Sequence, residues 1–124
     1  MRSVLVVDAA NVVGSRPDGW WKDRPGAARR LHERLLVGDV AYDEVVFVLE
    51  GGAKAGVPAG RDGDVRTVHA PRDGDSALLE EVRRCVAAGA TVTVATSDRV
   101  LAVRCEGLGA RAMSSGWLLD ALGG

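Results

Sequence analysis

Ser3-Val4-Leu5-Val6-Val7-Asp8-Ala9-Ala10-Asn11 and, near the other end, Thr91-Val92-Thr93-Val94-Ala95-Thr96-Ser97-Asp98 share one pattern: an apolar run that ends on a carboxylate. Runs that stay apolar without alternating predict strands buried on both faces, the hallmark of a parallel sheet between helices. Residues just past the C-terminal ends of such strands share one edge, and ligands bind at that edge. A third acidic stretch, Asp73-Gly74-Asp75, opens the helical segment that feeds the second of these strands. Three carboxylates converging on one edge point to a divalent-cation site.

Working outward, short apolar runs alternate with segments of helical period, as in stacked βαβ units. The pattern predicts strands at 3–7, 44–49, 65–69, 91–96 and 110–113, and helices at 26–37, 76–89, 99–107 and 115–122. Ala28, Leu31 and Leu35 form the apolar stripe of the first helix. Leu78, Leu79, Val82, Cys85 and Val86 form that of the second, and Gly89 ends it, since glycine tolerates positive φ. Residues 51–64 hold five glycines and no helical period, so they are expected to form a loop with at most one irregular turn. The expected architecture is α/β, a three-layer αβα fold around a mainly parallel five-stranded sheet of order 3-2-1-4-5, with residues 1–124 as one domain.

Composition narrows the classes. Hydrophobic residues make up 47% and aromatics 4%, so the core is expected to be built from Val, Leu and Ala. A net charge of −1 gives no global attraction to a polyanion, so any such attraction must be local or supplied by bound metal. Cys85 and Cys105 fall in apolar helical patterns without C-x-x-C spacing, which predicts buried free thiols of a reducing compartment. The first strand begins at once, leaving no room for a leader, and no apolar run reaches membrane-spanning length; the expected location is cytoplasmic.

Each acidic residue also has an ordinary structural explanation. Asp8 and Asn11 suit a turn, Asp98 suits a helix N-cap, alone or behind Ser97, and Asp75 suits the cap of the helix beginning near Ser76. Capping chemistry, however, does not require three carboxylates to meet. With strands one and four adjacent, about 4.8 Å apart, Asp8 and Asp98 can share one ion, and the helix opened by Asp75 starts at the same edge. Carboxylates clustered without a cation repel and raise one another's pKa. A hard cation with oxygen preference, Mg²⁺ or Mn²⁺, resolves that repulsion. Cys85, Cys105, His32 and His69 lack the spacing of a structural zinc site.

The pattern Val-Val-Asp8-Ala-Ala-Asn11-Val-Val-Gly14, then Gly74-Asp75-Ser76, then Ala95-Thr96-Ser97-Asp98-Arg99 resembles the NYN branch of the PIN-like nucleases, closest to short bacterial YacP-like NYN proteins. The resemblance spans residues 3–113 and implies an αβα fold and metal-dependent hydrolysis of RNA. It implies that Asp8, Asp75 and Asp98 hold Mg²⁺ or Mn²⁺ and that Asn11 orients the scissile phosphate or a metal-bound water. Thr96 or Ser97 would add a hydroxyl contact beside Arg99, and products would carry a 5′-phosphate and a 3′-hydroxyl. A fourth acidic residue common in PIN-like enzymes has no clear counterpart; Glu50, at the end of strand two, and Asp73 are the candidates.

Gly19-Trp20-Trp21-Lys22-Asp23-Arg24 offers aromatic rings for unpaired bases and cations for the backbone, though one or both Trp side chains could instead plug the fold. The expected split is one Trp buried and one exposed. Arg16, Lys22, Arg24, Arg29, Arg30 and Arg34 outnumber the nearby acids and could follow phosphates, or simply solvate a helix face. Trp117 is expected to pack on the sheet, His69 to be half-buried at a strand end, and His32 to be on the surface. The expected partner is RNA, single-stranded or structured, and a homodimer stays open. Among rivals, a haloacid-dehalogenase-like phosphatase needs a second Asp where Ala10 stands, and a receiver domain needs a lysine after the fifth strand. A degenerate PIN-like module that binds RNA or protein without cleaving is the non-enzymatic alternative.

Overall fold

A computed structural model describes residues 1–38 and 40–123. In chain order the elements are β1 (Ser3–Asp8), α1 (Ala9–Gly14), a 3₁₀ turn (Trp20–Lys22), α2 (Arg24–Val37) and β2 (Glu44–Leu49). A second 3₁₀ segment (Gly51–Gly56), β3 (Gly60–Asp62), β4 (Val65–His69) and α3 (Gly74–Ala87) follow, then β5 (Thr91–Ala95), α4 (Arg99–Gly107), β6 (Arg111–Met113) and α5 (Ser115–Ala121). The sheet runs β3-β4-β2-β1-β5-β6. Every neighbouring pair is parallel except β3 with β4.

The expected order 3-2-1-4-5 recurs as β4-β2-β1-β5-β6, with β3 added at the edge. That sixth strand corrects the expectation of a loop over 51–64. All three of its residues are exposed, so no apolar alternation marked it. It exists because a tight reversal with Gly63 at φ +58° returns the chain to pair with β4. The short helix α1 also went unforeseen, because six residues hold too few turns to display a period.

Alternating side chains divide the core in two. Leu5, Val7, Val45, Phe47 and Leu49 face α1, α2 and α5. Val4, Val6, Val46, Val48, Val92 and Val94 face α3 and α4. Each fully buried Leu, Val or Phe contributes about 2 kcal/mol of apolar transfer. His32 departs from its expected surface position: it is buried, with its ring 5.9 Å from that of Phe47. Its place is dictated by helical spacing, since Ala28, Leu31, His32 and Leu35 occupy one face of α2. Gly56 lets the second 3₁₀ segment press on the start of α2, because a Cβ there would lie 2.1 Å from the Pro25 carbonyl oxygen.

At the N-terminal edge of the sheet, acids are buried among arginines. Glu44 meets Arg61 of β3, Arg66 of β4 at 3.6 Å and Arg2 at 3.8 Å. Arg66 continues to Glu81 of α3 at 2.6 Å, and Arg84 reaches Glu81 at 3.1 Å. Burial alone would raise the Glu44 pKa, but Arg61, Arg66 and Arg2 outweigh it and hold the carboxyl below its ordinary value.

Candidate active site

The register of β1 builds the site from its first residue. Val7 pairs with Ala95, so Asp8 and Thr96 emerge side by side at the C-terminal edge. The Thr96 hydroxyl donates to Asp8 Oδ2 at 2.9 Å and accepts the Asp98 N–H at 3.1 Å, tying the two acidic positions together. Thr96 is itself buried, so its hydroxyl serves this link and does not face solvent. Asp8 also caps α1, its Oδ1 accepting the Asn11 N–H at 3.3 Å. Asp98 caps α4 through Oδ1, which accepts the Leu101 N–H at 3.1 Å, while Oδ2 accepts no hydrogen bond among the described residues.

The crossover from β4 to β5 carries α3 over β2 and β1, which brings its first turn to the same edge. Glu50, one residue beyond β2, fixes that arrival: its Oε2 accepts the Gly74 N–H at 2.9 Å. The cap of α3 is Asp73, not Asp75. Both Asp73 oxygens take bonds from Ser76, the N–H at 2.7 Å and the hydroxyl at 2.9 Å, and these hold its carboxyl below the ordinary range. Asp75 sits in the first turn of α3 and accepts no hydrogen bond among the described residues. The ordinary explanation that sequence allowed for Asp75 therefore belongs to Asp73.

Electrostatics tie these acids into one cluster. The Asp8 pKa is raised, first by burial and then, against the bonds from Thr96 and Asn11, by the charges of Asp75 and Glu50. Asp75 is raised by burial, then by Asp98, Glu50 and Asp73, with Arg104 opposing. Among the described residues, no three His, Cys, Asp or Glu side chains are drawn close enough to grip an ion between them. The donor set nonetheless suits a hydrated hard cation: all donors are carboxylate oxygens, they repel one another, and Mg²⁺ keeps several waters while using only one or two carboxylates. Beneath them the Cys105 thiol is pushed up to about 11, by burial first and then by Asp8, and stays protonated.

Asn11 joins three elements. Its Oδ1 accepts the Ser97 N–H at 2.7 Å and the Ser115 hydroxyl at 2.6 Å. A backbone N–H only donates, so the facing atom is the amide oxygen, and Nδ2 makes no hydrogen bond among the described residues. The Ser97 hydroxyl accepts the Ser115 N–H at 2.9 Å. Ser115, fully buried at the start of α5, and Arg104 of α4 were not singled out in the sequence. No local pattern marks either; only the packing of α4 and α5 brings them to this edge.

Trp20, Trp21, Lys22 and Arg24 lie beside this edge. Trp20 is half-buried and Trp21 is 53% exposed. Their rings meet edge-on with centroids 6.0 Å apart, and the Arg24 guanidinium lies 5.1 Å from the Trp20 ring centre. Trp20 and Arg24 wall a cleft of about 310 Å³ with Ala9, Ala10, Leu49 and Glu50. Lys22 and Arg99 are exposed. Trp117 packs against the α1/α2/α5 core, edge-on to Tyr42, as expected. His69 is half-buried, its Nε2 2.7 Å from the Val57 carbonyl oxygen. Cys85 and Cys105 are free thiols. No described helix is long and apolar enough to cross a membrane.

No known family model matches this sequence, and no curated protein matches it. Among solved structures, the fold matches a tryptophan-to-leucine variant of Rae1 (YacP) from Bacillus subtilis with a TM-score of 0.71 at 18% identity. The match covers 97% of this chain and 74% of that one. The likeness to YacP-like proteins read from the motifs therefore extends through the fold.

Proposed function

We propose that this chain is a divalent-cation-dependent ribonuclease, with Asp8, Asp75 and Asp98 as the carboxylates that hold Mg²⁺ or Mn²⁺ and Glu50 as the neighbouring acid. The gathering of these acids at one sheet edge carries the reading: Thr96 links Asp8 to the Asp98 backbone and Glu50 holds the first turn of α3 beside them. Burial first, and then the neighbouring acids, raise the Asp8 and Asp75 pKa values, which a bound cation would offset. The PIN-like fold shared with Rae1 (YacP) supports the reaction class. When bound, the ion supplies Lewis-acid stabilisation of a phosphoryl oxygen and a more acidic water.

The chain's own residues do the positioning. Thr96 keeps Asp8 and the Asp98 N–H in register. Asn11, its oxygen committed to Ser97 and Ser115, presents Nδ2 to a phosphate oxygen. Arg99 and Arg104 supply cations at the start and the outer side of α4 for flanking phosphates. Trp20 and Arg24 wall a cleft where a base next to the scissile phosphate stacks, and Trp21 and Lys22, exposed in the same segment, offer a further ring and cation to the strand.

The test is a thermal-shift titration with Mn²⁺ and Mg²⁺ beside a cleavage assay on unpaired RNA, each repeated on Asp98→Asn. Saturable stabilisation in the wild type, weakened in the variant, together with cleavage lost in the variant, is the expected outcome. Wild-type cleavage by Asp98→Asn would remove the assignment. No metal response in either protein would favour the non-catalytic RNA- or protein-binding module.

A further inference from the structure

On the far side of α1 lies a second cleft, of about 230 Å³, with an apolar floor that includes Val12, Leu31 and Leu119. Three guanidinium-bearing side chains line it: Arg16, just after α1, and Arg30 and Arg34, one turn apart on α2. Asp18 is the sole acidic residue among its lining residues, and none of the three arginines forms an ion pair among the described residues. The contrast with Arg2, Arg61, Arg66 and Arg84, all paired to Glu44 or Glu81, is sharp. Arg34 is anchored by a bond from its guanidinium to the Leu122 carbonyl at 3.4 Å, so it is held at the cleft. Three guanidinium groups against the single carboxylate of Asp18 leave the lining with a net positive charge, which favours entry of an anion.

We infer that Arg16, Arg30 and Arg34 form a phosphate-binding cleft that receives the RNA strand one or two nucleotides from the scissile position. The inference rests on the reading of RNA as substrate. The connection to the carboxylate edge is structural. The six residues of α1 run from Ala9, just after Asp8, to Gly14, two positions before Arg16, a rise of about 9 Å. Leu119 stands one turn beyond Ser115, which contacts Asn11. A strand leaving the carboxylates over α1 and α5 thus meets the arginines next. Of the basic residues in the 16–34 stretch, Arg24 instead covers Trp20, and Arg29 lies outside the cleft.

The test is binding of a fluorescent single-stranded oligoribonucleotide in chelator, followed by anisotropy across a KCl series, for the wild type and for Arg16→Gln/Arg30→Gln. Neither side chain makes a hydrogen bond or ion pair among the described residues, so the variant should melt with the wild type. The expected result is affinity reduced at least about tenfold and a salt slope shallower by about 1.4, the value for two lost contacts to a single strand. Unchanged affinity and slope would overturn the cleft, as would a wild type that binds polyglutamate there and no RNA. Because cleavage plays no part in this readout, failure of the nuclease reading shows separately, in the Asp98→Asn assay.

Discussion

The two edges of the sheet treat acidic residues in opposite ways. At the N-terminal edge, Glu44 and Glu81 are buried and surrounded by Arg2, Arg61, Arg66 and Arg84, and the Glu44 carboxyl is held below its ordinary value. At the C-terminal edge, burial first and then neighbouring acids, Glu50 among them, raise the pKa values of Asp8 and Asp75. One edge neutralises its charges internally and clamps β2, β3, β4 and α3 together. At the other, Arg104 opposes the shift of Asp75, and the acids raise one another's pKa values. On the proposed reading, carboxylates of equal formal charge serve stability in one place and chemistry in the other, according to what the strands carry beside them.

The largest effect that would test this contrast is on catalysis. Asp8→Asn is expected to lower the RNA cleavage rate by about a thousandfold, or ~4 kcal/mol of barrier, while circular dichroism stays native. Near-native turnover would dissolve the distinction between the edges. Next in size, Glu44→Ala leaves Arg61 and Arg66 without their shared acid and should cost about 3 kcal/mol in urea unfolding, with the Mn²⁺ response preserved. A loss of metal response there would mean that the two edges are not independent.

The pH dependence in chelator should separate the edges by sign. The lowered Glu44 pKa gives stability that is present above its ordinary 4.5 and lost as pH falls through the folded value. The raised Asp8 and Asp75 values give stability that is present below their ordinary 3.8 and lost as pH rises through the folded values. Urea midpoints from acid to neutral pH should therefore show wild type losing ground to Asp8→Asn as pH rises. Against Glu44→Gln, wild type should lose ground as pH falls. Parallel curves would remove the electrostatic basis of the comparison. The smallest change is Gly74→Ala: its Cβ would lie 2.9 Å from Glu50 Oε1, so a flexible side chain moves aside at little cost in stability. A weaker Mn²⁺ shift in that variant would place Glu50 in the ion's surroundings; an unaltered shift would leave it as a tether for α3.

Much of this was legible in the chain. Short apolar runs, continuous in β1, β2 and β5, located five of the six strands, and the expected order 3-2-1-4-5, which sets the two carboxylate-terminated strands side by side, recurs in the sheet. Helical stripes located α2 to α5. The acidic positions Asp8, Asp75 and Asp98 stood out because each follows a strand or opens a helix. Less legible were elements too short or too polar to show a period: α1, β3 and the 3₁₀ segments. His32 was misplaced because its neighbours Arg30 and Glu33 are polar, although its spacing from Ala28 and Leu35 puts it on the apolar face.

By itself, then, the sequence determined which strands are buried on both faces and which acids end at their tips, because burial and period are properties of local pattern. Only the tertiary structure decided which acid caps α3 and which stays free, that Thr96 joins Asp8 to Asp98, and that Ser115 supports Asn11. It alone sorted the arginines into those paired with Glu44 and Glu81 and those left facing a cleft. These distinctions depend on contacts between residues as far apart as Asn11 and Ser115, 104 positions along the chain. Such contacts arise from packing and register, which no local run of residues encodes.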